Sequence, residues 1–105
     1  MDVLWAGTPM VTLPGETLAS RVASSQLTTL ELHELVAKNR EDYENIAVKL
    51  GNDRDYRRAI RTKVWDGRIN SALFDVRIYA KDLEDLFYKM WEKFRKGEKC
   101  SHIVY

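Results

Sequence analysis

A length of 105 residues sets a soft ceiling of one domain, and 45% hydrophobic with 31% charged content fits a soluble globular chain. Seventeen Lys and Arg against sixteen Asp and Glu leave a net charge of +1, so overall charge points neither to nucleic acid nor to a membrane surface. No apolar run approaches the roughly 20 residues that cross a bilayer, five Gly and two Pro exclude collagen-like and linker-like classes, and one cysteine excludes an internal disulfide.

Asp2-Val3-Leu4-Trp5-Ala6 reads as the end of an apolar helix that Gly7 stops, with Pro9 just beyond. Met10–Leu13 is a short β-prone run between Pro9 and Pro14-Gly15, as expected of a strand buried on both faces. Glu16-Thr17-Leu18 opens a helix to about Gln26, with Leu18, Ala19, Val22 and Ala23 on its apolar face. Strand, Pro-Gly turn and helix in succession make half of a βαβ unit. Leu35-Val36-Ala37 is a second candidate strand.

The remaining elements read as helices. Asn39 caps one that carries Tyr43, Ile46, Ala47 and Leu50, with Gly51 as its stop. Asp53 caps the next, whose Tyr56, Ile60 and Val64 are spaced by four. The last runs from about Val76 to Lys96, with Tyr79, Leu83, Leu86, Phe87, Met90, Trp91 and Phe94 on one stripe. Seven large side chains at ~2 kcal/mol each would gain about 14 kcal/mol if buried, so this helix is expected to dock. No internal domain boundary is visible, and residues 1–105 read as one part of a lobe. Two short strands cannot make a stable parallel sheet, so the chain looks like part of an α/β domain begun partway through.

Chemistry-bearing motifs are sparse. No metal-ligand spacing of Cys and His, no nucleophile elbow and no Gly-rich phosphate loop occurs. His33 reads as a surface or packing histidine, Cys100 and His102 as members of a terminal tail, and Trp5, Trp65 and Trp91 as packing residues. The lone Cys100 favours a reducing compartment. A start whose first basic residue is Arg21, with Pro9 and Pro14 breaking the apolar run, does not read as a secretory signal. Residues 1–52 hold four basic and seven acidic residues, whereas 53–105 hold thirteen and nine. The basic excess lies between Arg54 and Arg68 and reads first as a solvated helix face, with Arg57, Arg58, Arg61 and Lys63 as a candidate anionic-lipid patch. Asp2 stands apart. A carboxylate there can accept two hydrogen bonds from vicinal hydroxyls, as acidic residues do from ribose in dinucleotide folds, or it can serve as a helix N-cap.

The stretch MDVLWAGTPMVTLPGETLASRVASSQL (residues 1–27) resembles the C-terminal catalytic lobe of the O-linked N-acetylglucosamine (O-GlcNAc) transferases. The likeness continues through LVAKNREDYENIAVKLGND (35–53), KVWDGRINSALF (63–74) and YAKDLEDLFYKMW (79–91). It implies an α/β fold: a partial Rossmann-like lobe of a GT-B glycosyltransferase, mostly helical here with one or two short strands. It implies transfer of GlcNAc from UDP-GlcNAc to Ser/Thr hydroxyls of nuclear and cytoplasmic proteins, with inversion, no cofactor and no essential metal. Tetratricopeptide repeats in the full-length protein would select the acceptors. Of the family's ligand-contacting residues, Asp2 matches the ribose-binding aspartate. The His-Thr-Thr loop, the diphosphate-stabilising lysine and the active-site histidine have no counterpart, so the chain alone is expected to be inactive. Glu16 matches the family at the mouth of the nucleotide cleft and is expected to cap the helix that follows it. Arg57-Arg58-Ala59 departs from the dibasic Lys-Lys that vertebrate forms carry at the last two of these positions, and Ala72 replaces a common Pro. That departure limits the phosphoinositide contact to a weak one. The alternatives are the related plant-type protein O-fucosyltransferase, which uses GDP-fucose, or a small helical interaction or lipid-binding module.

Overall fold

Five α-helices appear in the computed structural model, which describes residues 1–103: α1 (Asp2–Trp5), α2 (Leu18–Thr29), α3 (Arg40–Asn52), α4 (Arg54–Asn70) and α5 (Val76–Arg95). Single 3-10 turns at His33–Leu35 and Ala72–Phe74 link them. Residues 1–74 form one compact unit and the chain from Asp75 onward another.

Short polar side chains set the helix starts. The Asn39 side chain accepts from the Asp42 N–H at 2.8 Å, while the Asp42 carboxylate accepts from the Lys38 N–H at 2.9 Å. Asp53 joins α3 to α4 alone: its N–H donates to the Lys49 carbonyl at 2.9 Å and its carboxylate accepts from the Tyr56 N–H at 3.0 Å. These bonds supply partners for backbone groups that helix ends leave orphaned. The expected stop at Gly51 is not used, because α3 runs on to Asn52. Arg57 explains how, donating to the carbonyls of Leu50 and Gly51 at 2.9 and 3.0 Å.

The core of residues 1–74 gathers Leu4 from α1, Leu27 from α2 with Leu30 just past its end, Leu32 and Leu35 from the following turn, and Ile60 and Val64 from α4. The four-residue spacing of Tyr56, Ile60 and Val64 is realised as expected: the last two are buried and Tyr56 is half-buried. In α2 the expectation fails. Leu18 is 84% exposed and Val22 is exposed, while the inward stripe runs through Ala23, Leu27 and Leu30. The helix extends to Thr29, so its buried end lies beyond the expected stop at Gln26.

The two candidate strands also need correction. Among the described residues no strand forms, and Met10–Leu13 meets Leu35–Ala37 through a single parallel bridge between Thr12 and Val36. Its bonds run from Thr12 N–H to the Leu35 carbonyl at 3.0 Å and from Ala37 N–H to the Thr12 carbonyl at 2.7 Å. Prolines on both sides of one run and a 3-10 turn overlapping the other leave room for one pair. Met10, Val11 and Thr12 are only half-buried and Leu13 is exposed, so that run is not sandwiched between two layers. The fold is therefore mostly helical, and a Rossmann-like sheet is not seen among the described residues.

In the second unit, the Asp75 carboxylate caps α5 by accepting from the Arg77 and Ile78 N–H groups at 3.0 and 3.2 Å. The helix has the expected span but not the expected burial. None of its residues is buried, and Phe94 is 74% exposed. Amphipathic spacing shows that one face could be covered, yet among the described residues its apolar side chains are at most half-buried.

Candidate functional site

Asp2 lies at the start of α1, exposed. Met1 holds the N-cap position with no side-chain bond, which makes Asp2 the first helical residue and sets aside the N-cap reading. Its carboxylate has no hydrogen-bond or ion-pair partner among the described residues and is open to a ligand hydroxyl. The helix beneath it closes on Gly7 as expected. At φ +85°, Gly7 lets its own N–H reach the Leu4 carbonyl at 3.0 Å and the Thr8 N–H reach the Val3 carbonyl at 3.1 Å. Its missing Cβ is required a second time, since one would lie 2.8 Å from Cε3 of Trp65.

Around this turn sits an aromatic cluster. The Arg68 guanidinium carbon is 4.0 Å from the ring centroid of Trp5 and 4.0 Å from that of Trp65. Trp5 also meets Phe74 edge-on, with centroids 5.1 Å apart. Trp5 and Trp65 are nonetheless 49% and 52% exposed, so they meet through this guanidinium at the surface and not in the core. The arginine between them was missed in the sequence, although the Trp65-x-x-Arg68 spacing places both on one helix face.

Glu16 does not cap α2. Thr17 does, its hydroxyl oxygen accepting from the Ser20 N–H at 3.2 Å, and Glu16 lies one position earlier, exposed. A hydroxyl one bond from Cβ reaches the N3 amide, whereas a glutamate preceding the cap is misplaced for it. Arg21 ties down the adjoining turn by donating to the Gly15 carbonyl at 2.9 Å.

The four basic residues singled out on α4 divide. Arg57 is spent on the α3 carbonyls, and Lys63 pairs with Glu34 at 3.1 Å. Arg58 and Arg61 are exposed, with no ion-pair partner among the described residues. Partial burial pulls the Glu34 pKa upward, but a backbone hydrogen bond and the Lys63 ammonium outweigh it and hold the carboxyl below its ordinary value. The Tyr56 phenol is pushed up, first by burial and then by the charge of Glu34.

His33 is exposed on its 3-10 turn, Cys100 is a free exposed thiol, and Trp91 stacks on Phe94 with centroids 5.8 Å apart. No group of three or more His, Cys, Asp or Glu among the described residues could hold a metal, and no helix is long and apolar enough to cross a membrane. Two grooves of about 530 and 680 Å³ lie along α2 and the end of α4, and Asp2 lines neither. Among the described residues, Asp2 is thus an exposed carboxylate on a short helix, outside both of these grooves.

The family model for glycosyl transferase family 41 matches residues 1–83. A UDP-N-acetylglucosamine--peptide N-acetylglucosaminyltransferase of Caenorhabditis elegans is 54% identical over 104 residues, covering 99% of this chain and 9% of that protein. Two Arabidopsis thaliana proteins are similar over most of the chain. One, named "Probable UDP-N-acetylglucosamine--peptide N-acetylglucosaminyltransferase SEC", is 37% identical over 103 residues, covering 97% of this chain and 10% of its own length. The other, named as the SPINDLY form, is 35% identical over 100 residues, covering 95% and 11%. The chain spans about a tenth of the length of these curated relatives. A model matched over most of the chain, together with identity of this extent, places the protein in glycosyl transferase family 41.

Proposed function

We propose that this chain is a segment of the nucleotide-sugar-binding lobe of an enzyme that transfers GlcNAc from UDP-GlcNAc to Ser/Thr hydroxyls of proteins. The observation that carries this reading is 54% identity over 104 residues to a protein named for that reaction. In this reading the Asp2 carboxylate accepts hydrogen bonds from the vicinal ribose hydroxyls of UDP, and residues 1–74 brace the helix that presents it. A charged acceptor contributes about 1.5–3 kcal/mol to such a contact. The chain's motifs include no general base and no lysine for the departing diphosphate, so the 105-residue polypeptide alone transfers no sugar. Those groups, a GT-B frame with Rossmann-like lobes, inversion without an essential metal, and tetratricopeptide repeats that select cytoplasmic and nuclear acceptors belong to the whole protein in this proposal. A weak phosphoinositide contact would fall to Arg58 and Arg61, because Arg57 and Lys63 are engaged within the fold.

All three relatives are named for UDP-N-acetylglucosamine, which favours that donor over GDP-fucose. The test is transfer by the whole protein to an acceptor peptide, with radiolabelled UDP-GlcNAc and GDP-fucose in parallel. Label from UDP-GlcNAc alone is the expected result, and label from GDP-fucose alone would overturn the reading.

A further inference from the structure

The aromatic cluster beneath Asp2 has a feature that packing alone does not explain. Arg68 is half-buried, its Nε is buried without a hydrogen-bond partner, and its guanidinium faces two indole rings instead of a carboxylate. A buried donor without a partner is costly, so it persists where another interaction offsets it. Here the offset comes from two cation–π contacts, each with the guanidinium carbon 4.0 Å from a ring centroid and therefore well inside the effective range.

The helix on the far side of that contact needs help. At four residues, α1 is closed by Trp5 N–H to the Met1 carbonyl at 2.9 Å, Ala6 N–H to the Asp2 carbonyl at 3.0 Å and the two bonds of the Gly7 turn. A helix of one turn does not hold itself. Leu4, fully buried, pins it to the core, but one pin leaves rotation about the helix axis open. Trp5 lies about 100° further around the helix and is the second pin; Asp2, three residues earlier, lies within about 60° of it. Any rotation that moves the Trp5 indole therefore moves the Asp2 carboxylate with it.

We propose that Arg68, clamped between Trp5 and Trp65, is a positioning residue that fixes the rotation of α1 and so aims the Asp2 carboxylate at the donor ribose. This rests on the reading of Asp2 given above. A hydrogen-bonding carboxylate must be held to about 0.5 Å, and a planar guanidinium between two rings supplies that restraint where a flexible ammonium does not.

The experiment is a double-mutant cycle in the whole protein, titrating UDP into wild type, Asp2→Ala, Arg68→Met and the pair, with a thermal melt of each. Arg68→Met keeps an unbranched apolar stem and removes the cation. The expected result is about 5-fold weaker UDP binding for Arg68→Met and a matching rise in donor KM with kcat nearly unchanged. In the Asp2→Ala background, the same substitution should have no further effect on UDP affinity. Arg68→Lys, which retains charge and stem, should show the same coupling at smaller size and serves if Arg68→Met fails to fold. Ile69→Ala, an exposed neighbour, should bind UDP as wild type does. Equal losses in both backgrounds, or no loss in either, would overturn the positioning role while leaving Asp2 as a donor contact. Unchanged UDP affinity in Asp2→Ala would instead overturn the reading of Asp2 itself.

Discussion

Residues 1–74 and helix α5 answer the same demand for burial in opposite ways. The first region buries Leu4, Leu27, Leu30, Leu32, Leu35, Ala37, Ile60 and Val64 with helices of less regular apolar patterning. The second has the more regular apolar stripe and buries no residue at all. The contrast teaches that periodicity reports what a helix is able to bury, while burial is decided by neighbours. In residues 1–74 those neighbours come from turns as much as helices. Leu30, Leu32 and Leu35 lie between α2 and α3, in a segment that no helical period would single out.

The sharpest way to break this comparison is to truncate one large apolar side chain in each region. Leu27→Ala leaves a cavity in a closed core and should cost about 2–5 kcal/mol in urea unfolding of the chain. Phe94→Ala removes more carbon from a surface position and should change stability by no more than about 0.5 kcal/mol. Similar costs for the two would show that α5 is anchored as firmly as α2.

The same contrast explains what could be read from the sequence. Caps at Asn39 and Asp53 and the Tyr56-Ile60-Val64 spacing were legible because they depend on residues within one turn of each other. The strands were not, since ladder formation depends on partners distant in sequence, and Thr12 and Val36 find only each other. Asp2 could be singled out from its place ahead of an apolar run, but the Trp5–Arg68 contact joins residues more than sixty positions apart, and only its Trp65–Arg68 half leaves a local pattern, three residues apart on one helix. Glu16 misled for the opposite reason: two adjacent polar residues could each open α2, and only geometry selects Thr17.

A second, smaller effect sharpens the account of the braced turn. Gly7→Ala forces a left-handed φ on an L-residue and drives a methyl toward the Trp65 ring. We expect a loss of about 1–3 kcal/mol, accompanied by a change in Trp fluorescence as the indole is displaced. A neutral Gly7→Ala would mean that the α1 turn is not held as described.

The smallest expected effect concerns the Glu34–Lys63 pair, which crosses from the turn after α2 to α4. As an exposed pair it contributes at most about 1 kcal/mol. Because the folded Glu34 carboxyl is held below its ordinary value of 4.5, its contribution is complete above that pH and is lost as pH falls through the folded value. Glu34→Gln should therefore lower stability slightly at neutral pH and flatten the acid side of a stability–pH profile. An unchanged acid limb would show that the pair contributes nothing.

Hydrogen exchange of the whole protein with and without UDP reads both regions at once. UDP is expected to slow exchange in α1 and the turn closed by Gly7 and to leave the amides of α5 unaffected. Slowing confined to α5, with α1 unchanged, would contradict that expectation.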